Sequence, residues 1–249
     1  NLTYTGSGDA RVALMESEWI GNYEKNVLDG SEPRTGDNVV NILNLGKWTG
    51  DYTVHNQIAG ATLGMNAVSI EQDGLWNGNY KASEHNDADN VRVNYISVLN
   101  NSTWNGNLEI SGNSQLNQTI AMGGKWNGDF TGKDIVLDAS EEKSAGNLSI
   151  FGSATWTGAA KTNTENAINL SIFSESTWEV TADSTIRNLN LDGTSKIDFV
   201  NTPILRTNGY STMTVLGNTI FGDGAQINLR TNLAQNSGDL LVIKGKKKK

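Results

Sequence analysis

A right-handed parallel β-helix, an all-β solenoid of about eight to ten turns, is the fold this sequence predicts. Three observations predict it. A Trp-centred motif recurs along the chain, apolar and polar residues alternate around each Trp, and the copies are separated by about one solenoid turn.

The clearest copy is Ser102-Thr103-Trp104-Asn105-Gly106-Asn107-Leu108. Others surround Trp19, Trp48, Trp76, Trp126 and Trp156, and a version without the glycine surrounds Trp178. Even offsets carry Ser102, Trp104, Gly106 and Leu108, whereas odd offsets carry Thr103, Asn105 and Asn107. Strand side chains alternate between faces, so the motif reads as one strand with a buried and a wet side. A second strand precedes each Trp. It is marked by an apolar residue six positions upstream at Ile70, Val98, Ile120, Ile150 and Ile172, with Leu191 standing likewise before Ile197. Trp48 reads as an exception, with Leu43 five positions before it.

Successive tryptophans lie 29, 28, 28, 22, 30 and 22 residues apart. At about 3.3 Å per residue, even the shortest spacing holds two or three short strands and their corners. One such turn cannot bury its apolar side alone, so stability must come from stacking on neighbours. Stacking puts Trp19, Trp48, Trp76, Trp104, Trp126, Trp156 and Trp178 into one internal column, with the following glycines leaving space beside the rings. A packed aromatic column is favoured over a carbohydrate-stacking surface. Asn22, Asp51, Asn79, Asn107 and Asp129 form an outward column, read as an amide or solvent-facing ladder and not as a metal site.

The 249 residues exceed a typical domain, and repetition explains that length better than two globular units do. Twenty-seven glycines and only 18% charged residues suit tight corners and outward polar strand faces. Cysteine is absent, so the stack and not cross-links must supply stability. The net charge is −8, and setting aside the four lysines Lys246 to Lys249, which read as an added tag, leaves −12. Such acidity argues against general binding to nucleic acid or to anionic membrane. No stretch of about 18 apolar residues occurs, so no membrane-spanning helix is expected. Asn1 in place of an initiator Met reads as the start of an excised fragment.

Residues 1–18 are weakly patterned, and the polar run 24–38, containing Glu32 and Arg34, reads as an exposed loop. Later polar segments are Gly60 to Asn66, Ser83 to Asn90 with Glu84, His85, Asp87 and Asp89, and Asp138 to Gly146 with Asp138, Glu141 and Glu142. The turns beginning at Trp104 and Trp156 are minimal at 22 residues, and the longer turns carry their extra residues between the two strands. Insertions therefore fall on one edge, where solenoids often bind, although surface loops also tolerate insertion without function. The charged residues just named are the candidate binding residues.

Catalytic constellations are scarce. His55 and His85 are the only histidines, and the acids around His85 suit solvated loop chemistry better than a metal cluster. No Gly-x-Ser-x-Gly elbow, His-Glu-x-x-His or phosphate loop is present. Asp192 with Asp198, or Asp134 with Asp138, could compose a polysaccharide-cleaving pair, but alternation sets most of them outward and apart. Neither enzymatic activity nor a cofactor is expected.

From Trp178 the pattern becomes strict alternation. It runs through Ser176-x-Trp178-x-Val180, Ser184-x-Ile186-x-Asn188-Leu189-x-Leu191 and Ile197-x-Phe199, and ends on Gly238-Asp239-Leu240-Leu241-Val242-Ile243-Lys244-Gly245. This set resembles the pertactin-like C-terminal subdomain of type V autotransporter passengers, the AIDA/antigen 43 class. The resemblance divides the chain into repeat turns over 1–175, an autochaperone subdomain over 176–245 and the tail 246–249. It implies display on the extracellular face of a Gram-negative outer membrane, through a translocator β-barrel of the same precursor. It also implies adhesion to host cell-surface or matrix proteins or glycans, or self-association in aggregation and biofilm. A purely structural stalk is the competing expectation.

Overall fold

The structure, a computed structural model, describes residues 1–5, 8–27, 34–56, 62–85, 92–112, 114–133, 145–162, 167–200, 209–245 and 247–248. The described residues are mostly strand, with one 3-10 turn at Leu233–Gln235, and coil as a parallel β-helix. Each of the first seven turns contributes one strand to each of three sheets, and strands pair in parallel with their counterparts one turn below and above. The second sheet has ten strands in chain order and the third has nine. The first has seven, from Leu2–Thr5 to Ala160–Thr162, and a further three-stranded sheet of Ser184–Ile186, Thr212–Val215 and Leu240–Ile243 continues beside it.

Each Trp motif spans a corner between two strands. Thr103–Asn105 lies in the third sheet and Leu108–Ser111 opens the first sheet of the next turn, with Gly106-Asn107 at the bend. The motif is thus not the single strand its alternation suggests, because the inward parity survives the bend: Ser102, Trp104 and Leu108 are all buried. The glycine is required by close approach. A Cβ on Gly50, Gly78, Gly106, Gly128 or Gly158 would lie against the carbonyl oxygen of the glycine one turn below, well inside van der Waals contact.

The opposite corner, from second to third sheet, carries consecutive left-handed residues. Asn44 (φ 49°) with Leu45 (60°), Gln72 with Asp73, and Asn100 with Asn101 follow this form. The first turn has only Glu16 (φ 47°) there and is one residue shorter. Consequently Leu14, five positions before Trp19, aligns with Ile42, six before Trp48. Ile42 and not Leu43 is the buried column residue of that turn, and the irregular spacing belongs to Trp19.

The N-terminal stretch, weakly patterned in sequence, supplies the first turn's strands Leu2–Thr5, Ala10–Met15 and Glu18–Ile20. Lys247–Lys248, within the run set aside as a tag, pair in parallel with Thr219 and Ile220. Up to the turn of Trp178, the variable-length segments all join the first sheet to the second. Beyond it they move to the third-to-first corner, at 201–208 and at the antiparallel hairpin Thr231–Asn232 with Ser237–Gly238. Both the second and the third sheet run through residue 176 without interruption.

Inside, the indoles form one column. Adjacent rings are 4.7–5.1 Å apart and within 11° of parallel. Six are fully buried, whereas Trp19 at the lower end is half-buried. Each of those six donates its Nε1–H to the motif glycine carbonyl one turn below, as in Trp104 to Gly78 O at 2.8 Å and Trp178 to Gly158 O at 3.1 Å. A buried indole needs such an acceptor, so Trp and Gly are two halves of one interaction. Above Trp178 the column continues as Ile197 and Ile227.

Candidate binding flanks

The predicted site residues separate into three groups. The seven tryptophans are interior and structural. Glu32, Asp87, Asp89, Asp138, Glu141 and Glu142 lie outside the described residues, as do Asp134 and the side chain of Arg34; Arg34 and Thr35 pair with Thr62 and Leu63. Glu84 and His85 are described, and they differ. His85 is exposed at a strand end, but Glu84 is buried and points inward.

Glu84 is therefore not a loop ligand. It sits at the even offset from Tyr80 that the pleat turns inside, with its carboxylate 3.5 Å from the guanidinium of Arg92 and both side chains fully buried. Arg92 also donates to Asn66 Oδ1 at 3.1 Å. Burial pushes the Glu84 carboxyl up to about 7, against the opposing pull of Arg92. The run 24–38, expected as an exposed loop, also enters the core: Lys25 and Asn38 are buried. Lys25 Nζ donates to Gly8 O at 2.6 Å and to Gly36 O at 3.4 Å, and burial, then the Arg92 charge, lowers the amine to about 8.

Around these charges stands a polar network that motif reading alone did not find. Asn38 donates to Asn66 Oδ1 at 2.7 Å, and Asn66 to Asn94 Oδ1 at 2.9 Å. The rings of Tyr23, Tyr52 and Tyr80 stack beside them, with Tyr80 Oη donating to Asn94 Oδ1 at 2.7 Å. A signal for it exists in the sequence: Asn38, Asn66 and Asn94 each stand ten residues before a motif Trp.

The outward face of the Trp motif is built from two ladders. In the first, Asn22, Asp51, Asn79, Asn107 and Asp129 each accept, through Oδ1, the backbone N–H of the matching residue one turn above, at 2.7–3.0 Å. This is the ladder expected from the sequence. In the second, Asn127 Nδ2 donates to Asn105 Oδ1 and Asn105 Nδ2 to Asn77 Oδ1, both at 2.8 Å. Asp51, Asn79 and Asn107 line a shallow polar groove with Thr53, Lys81 and Glu109. Ion pairs cross turns beside it, with Glu109 between Lys81 at 3.6 Å and Lys133 at 3.1 Å.

Of the acids considered, Asp192 and Asp198 are described, and each is engaged by other groups. Asp198 contacts Lys196 at 3.5 Å. Asp192 accepts from Ser174 N–H, Thr194 N–H and Thr194 Oγ1, and although burial acts to raise it, these hydrogen bonds hold its carboxyl below the usual range. Among the described residues no group of three or more His, Asp or Glu is arranged to hold a metal ion. At the upper end Asp239 receives Arg230 in a fork, at 2.8 Å to each oxygen, plus the N–H of Ser211 and of Arg230. Burial opposes its ionisation, yet these donors bring it down to about 2. The pair closes the base of the hairpin that carries Leu233, 93% exposed.

Comparison with known proteins returns no matching family model, curated protein or solved structure.

Proposed function

We propose that this chain is a surface-displayed adhesive stalk of the autotransporter passenger type. It acts in attachment to host surfaces or in cell-to-cell self-association, and residues 176–245 nucleate its folding. The supporting observation is the division of labour across every Trp turn. Signature Trp and Gly residues are consumed in stacking, which leaves outward polar columns and one variable corner as the surface available to partners. Many weak contacts repeated along a rigid axis sum through multivalency. The scaffold-only reading draws on the same fact, because the repeat signature itself is structural.

The test displays the chain on a non-adherent cell and measures clumping and attachment to host matrix. It is then repeated with 86–90 or 135–143 deleted, sparing Glu84 and Arg92. Adhesion that falls on either deletion supports the proposal and assigns the corner. Adhesion no different from bare cells in the undeleted form rejects it in favour of a stalk.

Nucleation by the upper turns has its own reason. Parallel stacking is non-local and slow to start, so a segment that folds first can template the rest. Removing residues 176–245 should slow refolding of the remainder more than removing turns of similar length from the lower end.

A further inference from the structure

The three sheets do not share charge evenly. The chain has 19 basic and 27 acidic residues, and the outer faces of the first and third sheets carry many of them, among them Glu24, Lys81, Glu109, Lys47, Lys125 and Glu179. By contrast, the outward positions of six consecutive second-sheet strands, from Asn38–Leu43 to Asn169–Ile172, hold no charged side chain. Arg92 is the only charged residue in those strands, and it points inward. A surface rich in charge that clears one flat flank has set that flank apart from solvent-facing drift.

What fills the flank is as specific as what is missing. One column reads Ser69, Ser97, Thr119, Ser149 and Ser171, each in register with the next, so a hydroxyl recurs on five successive turns above Asn41. Strand spacing sets that interval at about 4.8 Å. Tyr95 and Phe151 stand on the same face, Tyr95 being 41% exposed. Hydroxyls with partly exposed aromatic rings, on strands without outward charge, suit a ligand that is itself neutral, hydroxylated and apolar on its ring faces. An acidic polymer would find no cation on these strands, and the Glu71 carboxylate at the lower end of the column is already engaged by Ser69 Oγ at 2.6 Å.

We propose that the outward face of the second sheet is a binding platform for an extended neutral polysaccharide lying along the stack axis, with about one sugar per turn. This rests on the adhesion reading and names the ligand class of one flank. The hydroxyl column supplies one hydrogen bond per sugar, and the aromatic rings cover apolar sugar faces. The occupant is repetitive because the platform is.

The experiment titrates the full chain with β-1,4-linked gluco-oligosaccharides of increasing length, and with heparin and polygalacturonate as acidic comparators. Affinity is expected to rise with length over the first several sugars and to change little with salt. Thr119→Lys and, separately, Ser97→Lys should each weaken it by about tenfold or more. Thr157→Lys on the third sheet should leave it unchanged. Using two separate lysine variants guards against one of them unfolding, which circular dichroism detects.

Absence of glucan binding at every length overturns the proposal. So do preference for the acidic polymers, equal loss in Thr157→Lys, or a dimer in sedimentation that Thr119→Lys abolishes, which assigns the flank to a second copy. Cells that still adhere to host matrix while failing these titrations lose only this inference, whereas non-adherent cells lose the adhesion reading itself.

Discussion

The lower and upper halves of the stack share one backbone plan but fill it with different chemistry. In the turns of Trp48, Trp76 and Trp104 the interior holds three stacked tyrosines, an Asn ladder and the Glu84, Arg92 and Lys25 charges. One turn higher the same positions become aliphatic: Leu108 follows Tyr80 and Leu116 follows Asn94 in register. Tyr80 and Asn94 are hydrogen-bonded to each other, and above them both positions change to leucine together. The tyrosine–asparagine column and its aliphatic continuation are therefore alternative fillings of one scaffold.

The largest expected effect breaks the lower half selectively. Arg92→Met leaves the Glu84 carboxylate buried without its cation and should cost about 3–5 kcal/mol in denaturant unfolding. The double change Glu84→Leu with Arg92→Met should recover most of that loss, since a packed apolar pair replaces a buried ion pair at little cost. No single change of a charge on the second or third sheet of the upper turns should approach it, because their described charged side chains there are surface groups.

Gly106→Ala and Gly158→Ala test what the halves share. Each new methyl meets a carbonyl one turn below, of Gly78 or Gly128, that already accepts the N–H of Trp104 or Trp156, and both should destabilise by about 1–3 kcal/mol or more. Equal effects in the two halves would confirm the common plan, and a harmless substitution in either would separate them. Tyr80→Phe removes only the donor to Asn94 Oδ1 and should cost about 1–3 kcal/mol.

Smaller again is a pH signature confined to the lower half. Glu84 sits near 7 in the fold against 4.5 for a free carboxyl, so the folded state binds the extra proton between those values. Its contribution to stability is full below about 4.5 and is lost as pH rises towards 7. Lys25 is lowered to about 8 from 10.5, so the unfolded state holds more protons there and stability should rise from pH 8 to 10.5. Thermal melts across pH should show both slopes, with Glu84→Gln removing the first and Lys25→Met the second. Asn105→Ala, on the exposed ladder, should change stability by less than about 0.5 kcal/mol.

The contrast between halves also shows why some features were legible in the sequence and others were not. Turn count, stacking and the Asx ladder follow from Trp-x-Gly-Asn/Asp, because that motif serves inside and outside at once. Glu84 reads as a loop residue because its neighbours do, while strand parity counted from Tyr80 sets it inside. The second-sheet flank could not be seen because its in-register hydroxyls are 22 to 30 residues apart in the chain, and only the stack brings them together. Ile42 keeps the regular spacing to Trp48 but is hidden in the sequence by the adjacent apolar Leu43, which only the burial pattern tells apart.

Hydrogen exchange of the seven indole N–H groups, followed by NMR, tests the central claim most directly. Six should exchange slowly, locked to glycine carbonyls one turn below, and one, Trp19, should exchange fast. Seven fast signals, or a slow set that excludes the central Trp104, would contradict a continuous indole column.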